Sequence, residues 1–470
     1  MNKRILKLAL PNIITNLTVP LLGMVDMAIV GHLSMEHLGA IAIGTQMFNL
    51  IYWNFGFLRM GTSGFTAQAY GADDMDEAVR IFLRALGIAG VMALLLIALQ
   101  WPISRFSQHV FHGSPRVIAL AMTYFFVRIW AAPATLGLYA VKGWFIGMQN
   151  SRLPMWIAIF LNIVNIVCSL VFVLVLHWDI RGVALGTVIA QYAGLAVGLF
   201  FLAKDYGTLF RRFFACWRTN RQHADAQAIR NMRYAELQAL RRFFKVNGDI
   251  FLRTVCLAAV FTFITAASGR ISDEVLAIDA LLMQFFTLFS YFVDGFAYAG
   301  ESLVGRYIGA RDGVSLRQSV RLMVGWGMVL TLLFTALYAL CGEGFLSLFS
   351  NETVVIRGAR QYLFWTLVIP ICGFSAFLFD GIFIGATASR TMRNSMFVAT
   401  AAFFAFYYGC RTWLFADATP PYSHVQQQHL NNLLWTAFMV YLLLRGVLQA
   451  MKLQKDVYDK AACPAILPYC

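Results

Sequence analysis

Asp26 sits in a stretch where a membrane helix would be expected to hold only apolar residues. It follows Gly23, Met24 and Val25 and precedes Met27 and Ala28, with no Lys or Arg three or four positions away on either side. A charged side chain at the centre of a bilayer costs about 2.5–3.5 kcal/mol on insertion scales, so such a residue calls for a partner or a function. Low dielectric favours the neutral form of any carboxyl group, and an unpaired one can carry a proton near neutral pH. Pro20 lies six residues earlier and removes a helix hydrogen bond. A helix that bends there would give proton binding a mechanical consequence, which makes Pro20 a hinge candidate. The alternative is a carboxylate neutralised by an arginine of another helix, Arg59 or Arg128.

Other polar residues inside apolar stretches extend the set. Asn162, Asn165 and Thr187 bring oxygens that could face Asp26 across a helix bundle, although such residues commonly just join helices. Further along come Asp249 and Arg253, then Asp294 and Glu301, then Asp380. Asp249 and Arg253 are four residues apart and are expected to pair along one helix. Asp294 and Asp380 have no basic residue at helical spacing, so each either pairs with Arg253 across helices or lines a cavity that attracts a cation.

Enzymatic chemistry fits poorly. Gly61, Ser63 and Gly64 have the spacing of an intramembrane serine protease motif, but a serine nucleophile needs a base, and all eight histidines lie at span ends or in loops. A glycine-rich helix contact is the simpler reading. No Walker A motif is present, so ATP does not drive this chain directly, and no Cys or His spacing implies a metal, cofactor or disulfide framework.

The elements that hold these residues are membrane helices. The 470 residues are 60% hydrophobic and 13% charged, with a mean hydropathy of +0.67, far outside the soluble range. A net charge of +14 would suggest nucleic acid in a soluble protein; here the basic residues lie between apolar spans and fit the positive-inside rule, which excludes a nucleic-acid partner. Pro11 and Pro20 interrupt the first apolar stretch and no small-residue cleavage site follows, so it reads as a first transmembrane helix and not a signal peptide.

The chain also repeats itself. Gly143, Phe145, Ile146, Gly147, Ser151 and Arg152 recur 238 positions later as Gly381, Phe383, Ile384, Gly385, Ser389 and Arg390. Gly56, Gly61 and Gly71 recur at nearly the same offset as Gly295, Gly300 and Gly309. Apolar stretches lie near 8–31, 39–69, 80–104, 117–147, 153–177 and 181–203, then near 244–268, 274–305, 317–341, 356–386, 395–415 and 430–451. Six spans per copy is an even number, so both copies enter the membrane with the same orientation. The expected fold is an all-α integral membrane protein of twelve transmembrane helices, in two six-helix lobes related by a pseudo-two-fold axis along the membrane normal.

Basic residues cluster on one side, from Lys3, Arg4 and Lys7 through Arg80, Arg84 and Arg152 to the segment from Lys204 to Lys245, then Arg311, Arg390 and Lys452. Both termini are therefore expected in the cytoplasm. The expected division is residues 1–204 as the first lobe, 205–242 as a cytoplasmic linker with an amphipathic helix at the anionic leaflet, 243–455 as the second lobe and 456–470 as a disordered tail.

The motifs together are specific. Val25 and Asp26, Ala67 to Ala72, Arg128 to Pro133, Gly147 to Arg152, Gly182 to Gln191, Asn247 to Thr254 and Asp294 to Tyr298 resemble the multidrug and toxic compound extrusion family, and within it the DinF-like branch, across about residues 5–453. The resemblance implies two lobes in a V, alternating access, and export of amphipathic, often cationic compounds against inward H⁺ or Na⁺. It places the family's ion-coupling residues on Asp26, Asn165 and Thr187. Many relatives carry an Asp where this chain has Ser169, which leaves the first lobe with one carboxylate and favours H⁺ over Na⁺. The tenth-helix Asp of sodium-coupled relatives falls on Asp380.

The expectation is thus a monomeric secondary antiporter of a bacterial inner membrane, without a cofactor, whose partners are small molecules and membrane lipids. The rival is a lipid-linked saccharide flippase of similar plan, for which Arg59, Arg128 and Lys142 would meet a pyrophosphate.

Overall fold

The computed structural model describes residues 1–31, 34–111, 114–223, 226–349, 352–414 and 422–462, and every regular element among them is helical. In chain order these are α1 (Asn2–Gly31), α2 (Met35–Asn54), α3 (Phe57–Gly71), α4 (Met75–Ala98), α5 (Gln100–Val110), α6 (Pro115–Arg128), α7 (Ala132–Gly147), α8 (Arg152–Leu170), α9 (Asp179–His223), α10 (Ala226–Ile271), α11 (Asp273–Gly309), α12 (Gly313–Phe349), α13 (Thr353–Arg360), α14 (Leu363–Gly385), α15 (Ser389–Leu414), α16 (His424–Leu453) and α17 (Asp459–Ala462).

Ten helical stretches are long and apolar enough on their own to cross a membrane, with α6 and α7 counted as one through a short 3-10 turn. The broken pair α2–α3 and the arginine-bearing α15 complete twelve crossings. Helix starts carry the chemistry that frees the first turn from unsatisfied N–H groups. Ser34, Asp74, Ser114, Ser272 and Ser423 each accept from a backbone N–H three residues on.

The repeat is visible in the turns. Asp73 and Arg311, and likewise Gln149 and Thr387, are 238 positions apart, and all four take a left-handed conformation with φ between 49° and 62°. Each closes the same turn between two spans of its own lobe.

One apolar core fills each lobe, and α1 serves both. Ile29 and Val30 belong to the core of the first lobe, whereas Ile5, Leu8, Ala9 and Ile13 pack into that of the second. Phe243 of α10 crosses the other way, into the first-lobe core. Residues 205–223 continue α9 and residues 226–242 open α10, so the segment expected as a linker is part of two long helices, with 224–225 outside the described residues. The tail expected to be disordered after Asp456 is partly ordered. Val457 is fully buried, Thr391 Oγ1 donates to Asp456 at 2.5 Å, and Lys460 Nζ donates to the Ala386 carbonyl at 2.7 Å. An apolar side chain and two polar contacts on the end of the repeat turn hold it. Residues 463–470 lie outside the described residues.

Candidate functional site

In the first lobe Asp26 is 4% exposed on α1, and Ser169 Oγ of α8 donates to its Oδ1 at 3.3 Å. One turn back on α8, Asn165 Nδ2 donates to Thr187 Oγ1 of α9 at 3.1 Å, and Thr187 in turn donates to the Val183 carbonyl. Asn165 Oδ1 is buried without a hydrogen-bond partner among the described residues. Gly186 makes the approach possible, since a Cβ there would lie 2.9 Å from Ser169 Oγ. Asn162 Nδ2 donates to the Thr18 carbonyl at 2.8 Å, supporting α1 two residues before Pro20, which α1 carries without interruption.

Neither arginine considered for Asp26 forms an ion pair with it among the described residues. Arg59 is engaged by Glu301, at 3.0 and 3.2 Å, and lies over the Tyr298 ring. Arg128 is the charge that acts on Asp26, but it donates to Tyr124 at 2.5 Å and lies over the Phe48 ring.

The expected helical pair of Asp249 with Arg253 does not form. Asp249 accepts from Arg393 at 2.6 Å and from Ser389 at 2.8 Å, both on α15, while Arg253 binds Asp380 of α14. Neighbouring helices present opposite charges at closer range than one turn of α10 allows. Asp380 also accepts from Arg445 at 2.7 Å and Gln449 at 2.8 Å, one turn apart on α16. It is therefore saturated: one anion held by two guanidinium groups and an amide. Asp294 on α11 is different. It is partly buried, feels Arg253 and Arg59, and makes no hydrogen bond or ion pair among the described residues.

Glu301 is the carboxylate that joins the lobes. Besides Arg59 it takes a hydrogen bond from Ser63 at 2.5 Å, and both partners belong to α3. Around this pair Gln149 Nε2 donates to the Ser302 carbonyl at 2.7 Å, Ser302 Oγ donates to the Ile146 carbonyl at 2.8 Å, and Gln68 Nε2 donates to the Gly385 carbonyl at 2.9 Å. Gly71 lies against the Arg306 carbonyl and Gly309 against that of Gln68, with no room for a Cβ at either. The lobes thus meet closely where α3, α7, α11 and α14 end.

Arg445, Gln449 and the partner roles of Ser63 and Arg393 are missed by reading the sequence. Arg445 was within reach, because the cost that singles out Asp26 applies equally to an arginine inside the twelfth span. So was Asp279 inside the eighth. The others carry no signal before the helices are placed.

Comparison with known proteins agrees with this architecture. The MatE family model matches residues 11–171 and 250–408, one match in each lobe. DNA damage-inducible protein F of Escherichia coli (strain K12) is 36% identical over 450 residues, which span 95% of this chain and 90% of that protein. Human multidrug and toxin extrusion protein 1 is 24% identical over 84% of this chain and 64% of its own length. Among solved structures, a MATE transporter in its bent conformation superposes with a TM-score of 0.81 at 16% identity, covering 98% of this chain and 97% of that one. The Vibrio cholerae MATE transporter VcmN in its bent form gives 0.78 at 18% identity, covering 98% of each. With two matched copies, twelve crossings and a near full-length relative, the chain belongs to the MatE family of multidrug and toxic compound extrusion transporters, in its DinF-like branch, and is a multi-pass membrane transporter and not an enzyme.

Proposed function

We propose that this transporter exports amphipathic organic compounds, cationic ones among them, by alternating access against an inward flow of protons, with Asp26 as the group that carries the proton. The observation that carries the reading is a carboxylate 4% exposed in a membrane helix with one serine hydrogen bond and no ion pair among the described residues. A proton needs one such group. Sodium needs several oxygens with enough negative charge to offset its dehydration, and Ser169, Asn165 and Thr187 are all neutral. Protonated Asp26 becomes a donor, and Asn165 Oδ1, buried and without a donor one turn from Ser169, is an acceptor in the same cluster.

The asymmetry of Lys and Arg supports placing both termini and the joined ends of α3 and α11 in the cytoplasm of a bacterial inner membrane. On that orientation the lobes described above are closed to the cytoplasm. Substrate and proton each favour a different arrangement of the lobes, which is what couples them. A single chain contains both lobes, so a monomer suffices.

A second reading, the flipping of a lipid-linked phosphate, rests on Lys142. It lies beside Arg59 and forms no ion pair among the described residues. Arg59, Arg253 and Arg445 already have carboxylate partners, which leaves few cations for a pyrophosphate. Reconstituted vesicles decide between the two. Efflux of a fluorescent cation driven by an imposed pH gradient, collapsed by a protonophore and indifferent to sodium, is expected; lipid flipping without efflux would replace the exporter by a flippase.

A further inference from the structure

Asp279 is a buried carboxylate that neither the lobe contact nor the ion cluster of the first lobe uses. It is 3% exposed, six residues into α11, and thus about 9 Å along the helix from its start. That start is the end of α11 away from the joined turns. Its direct partners are hydrogen-bond donors. Asn431 Nδ2 and Trp435 Nε1, both of α16, donate to Oδ1 at 3.0 and 2.8 Å, and Ser268 of α10 contacts Oδ2. No Lys, Arg or His forms an ion pair with it among the described residues, whereas Asp380 and Asp249 each have an arginine.

The hydrogen count at Ser268 is what gives this site a function. Ser268 has one hydroxyl hydrogen and two acceptors within reach, Asp279 Oδ2 and the Ile264 carbonyl at 2.9 Å. When Asp279 is ionised, Ser268 donates to Oδ2 and leaves Ile264 without that donor. When a proton binds Oδ2, the new O–H donates to Ser268 Oγ, and the hydroxyl of Ser268 turns to the Ile264 carbonyl. Asn431 and Trp435 keep donating to Oδ1 in both states. Every bond is accounted for in either form, and no heavy atom has to move.

We infer that Asp279 is a proton-binding site in the second lobe, tying α10, α11 and α16 together and distinct from the site at Asp26. A cavity of about 140 Å³ at the start of α11 is lined by Ile278 together with Glu274, Tyr362, Arg357, Gln427 and His424, and Asp279 itself does not line it. Tyr362 is the titratable group that senses both Asp279 and Glu274. Arg270, the last residue but one of α10, lines a separate, smaller pocket with Arg411 and Tyr407.

The inference concerns proton binding and stands whichever ion drives transport. Infrared difference spectra of the full-length protein in lipid, taken between alkaline and acidic pH, read it directly in the protonated-carboxyl stretch. A band is expected that Asp279→Asn removes and Asp26→Asn leaves in place. Asp279→Asn keeps every heavy atom of the site in count and should stay monodisperse. Ser268→Ala, which takes away the acceptor for the new O–H, should shift the same band without removing it. That variant reads the site even where Asp279→Asn folds poorly. A spectrum in which no carboxyl band responds to Asp279→Asn or to Ser268→Ala overturns the assignment. So does a band that sodium abolishes at constant pH, because the site would then take a metal cation.

Discussion

Ser63 and Glu301 stand 238 positions apart, as do the identical residues of the repeat, and they are hydrogen-bonded to each other at 2.5 Å. A contact between equivalent positions of two copies lies on the axis that relates them. Ala67 and Gly305 form the next such pair, and a Cβ on Gly305 would lie 2.5 Å from that of Ala67. The pseudo-two-fold axis therefore runs through the joined ends of α3 and α11. At the axis the two copies differ: the second has a carboxylate where the first has a hydroxyl, and that carboxylate holds Arg59. Breaking this contact must accompany any opening of the lobes at this end.

Glu301→Gln leaves Arg59 charged in a buried contact without its counter-ion. Removing one partner of such a pair costs about 3 kcal/mol, roughly a hundredfold in the equilibrium between joined and parted lobes. Spin labels at position 72, in the turn after α3, and at position 314, in the first turn of α12, should move to longer distances by double electron–electron resonance in a cysteine-free background. An unchanged distance distribution would show that Glu301 does not hold the lobes together.

Asp26→Asn should abolish proton-driven export while the protein stays folded, because the amide keeps the shape and loses the exchangeable proton. Pro20→Ala should impair transport less completely, since it restores one backbone hydrogen bond to a helix that is already continuous. Efflux assayed in everted vesicles separates the two, and normal transport by Asp26→Asn under a proton gradient would sink the assignment.

Asp380→Asn should lower thermal stability in detergent by an amount equivalent to about 3–5 kcal/mol, because Arg253 and Arg445 both lose their carboxylate in a buried site. Asp294→Asn removes no hydrogen bond among the described residues and should leave the melting temperature within a few degrees of wild type while changing substrate preference. Equal effects of the two substitutions on stability would contradict this division of roles.

A cysteine at Ser114 should react with an impermeant thiol reagent added outside the cell, and one at Gln227 should react only after the membrane is opened. The reverse pattern would invert the topology and, with it, the direction assigned to the joined lobes.

The duplication, the twelve crossings and the buried polar residues of the first lobe are readable in the chain because each depends on local composition or spacing. Apolar length makes a span, a recurring glycine pattern makes a second copy, and a lone Asp in an apolar stretch carries its cost wherever the helix is placed. Ser169 and Asp26 meet as the family resemblance suggests, 143 positions apart in the chain. Which charge neutralises which is a different matter. Asp249 and Arg253 share a helix turn by sequence, yet each is paired from a neighbouring helix, and Glu301 is paired across the two lobes. In a low-dielectric interior the strength of a pair is set by separations of a few ångströms between helices, and these follow from how the bundle packs. The hydrogen count at Ser268 and Asp279 likewise exists only once α10 and α11 lie side by side. The sequence by itself determined the membrane fold, its repeat and the candidate carboxylates; the tertiary structure decided which of them an arginine neutralises and which have none, because that depends on distance in space and not on order in the chain.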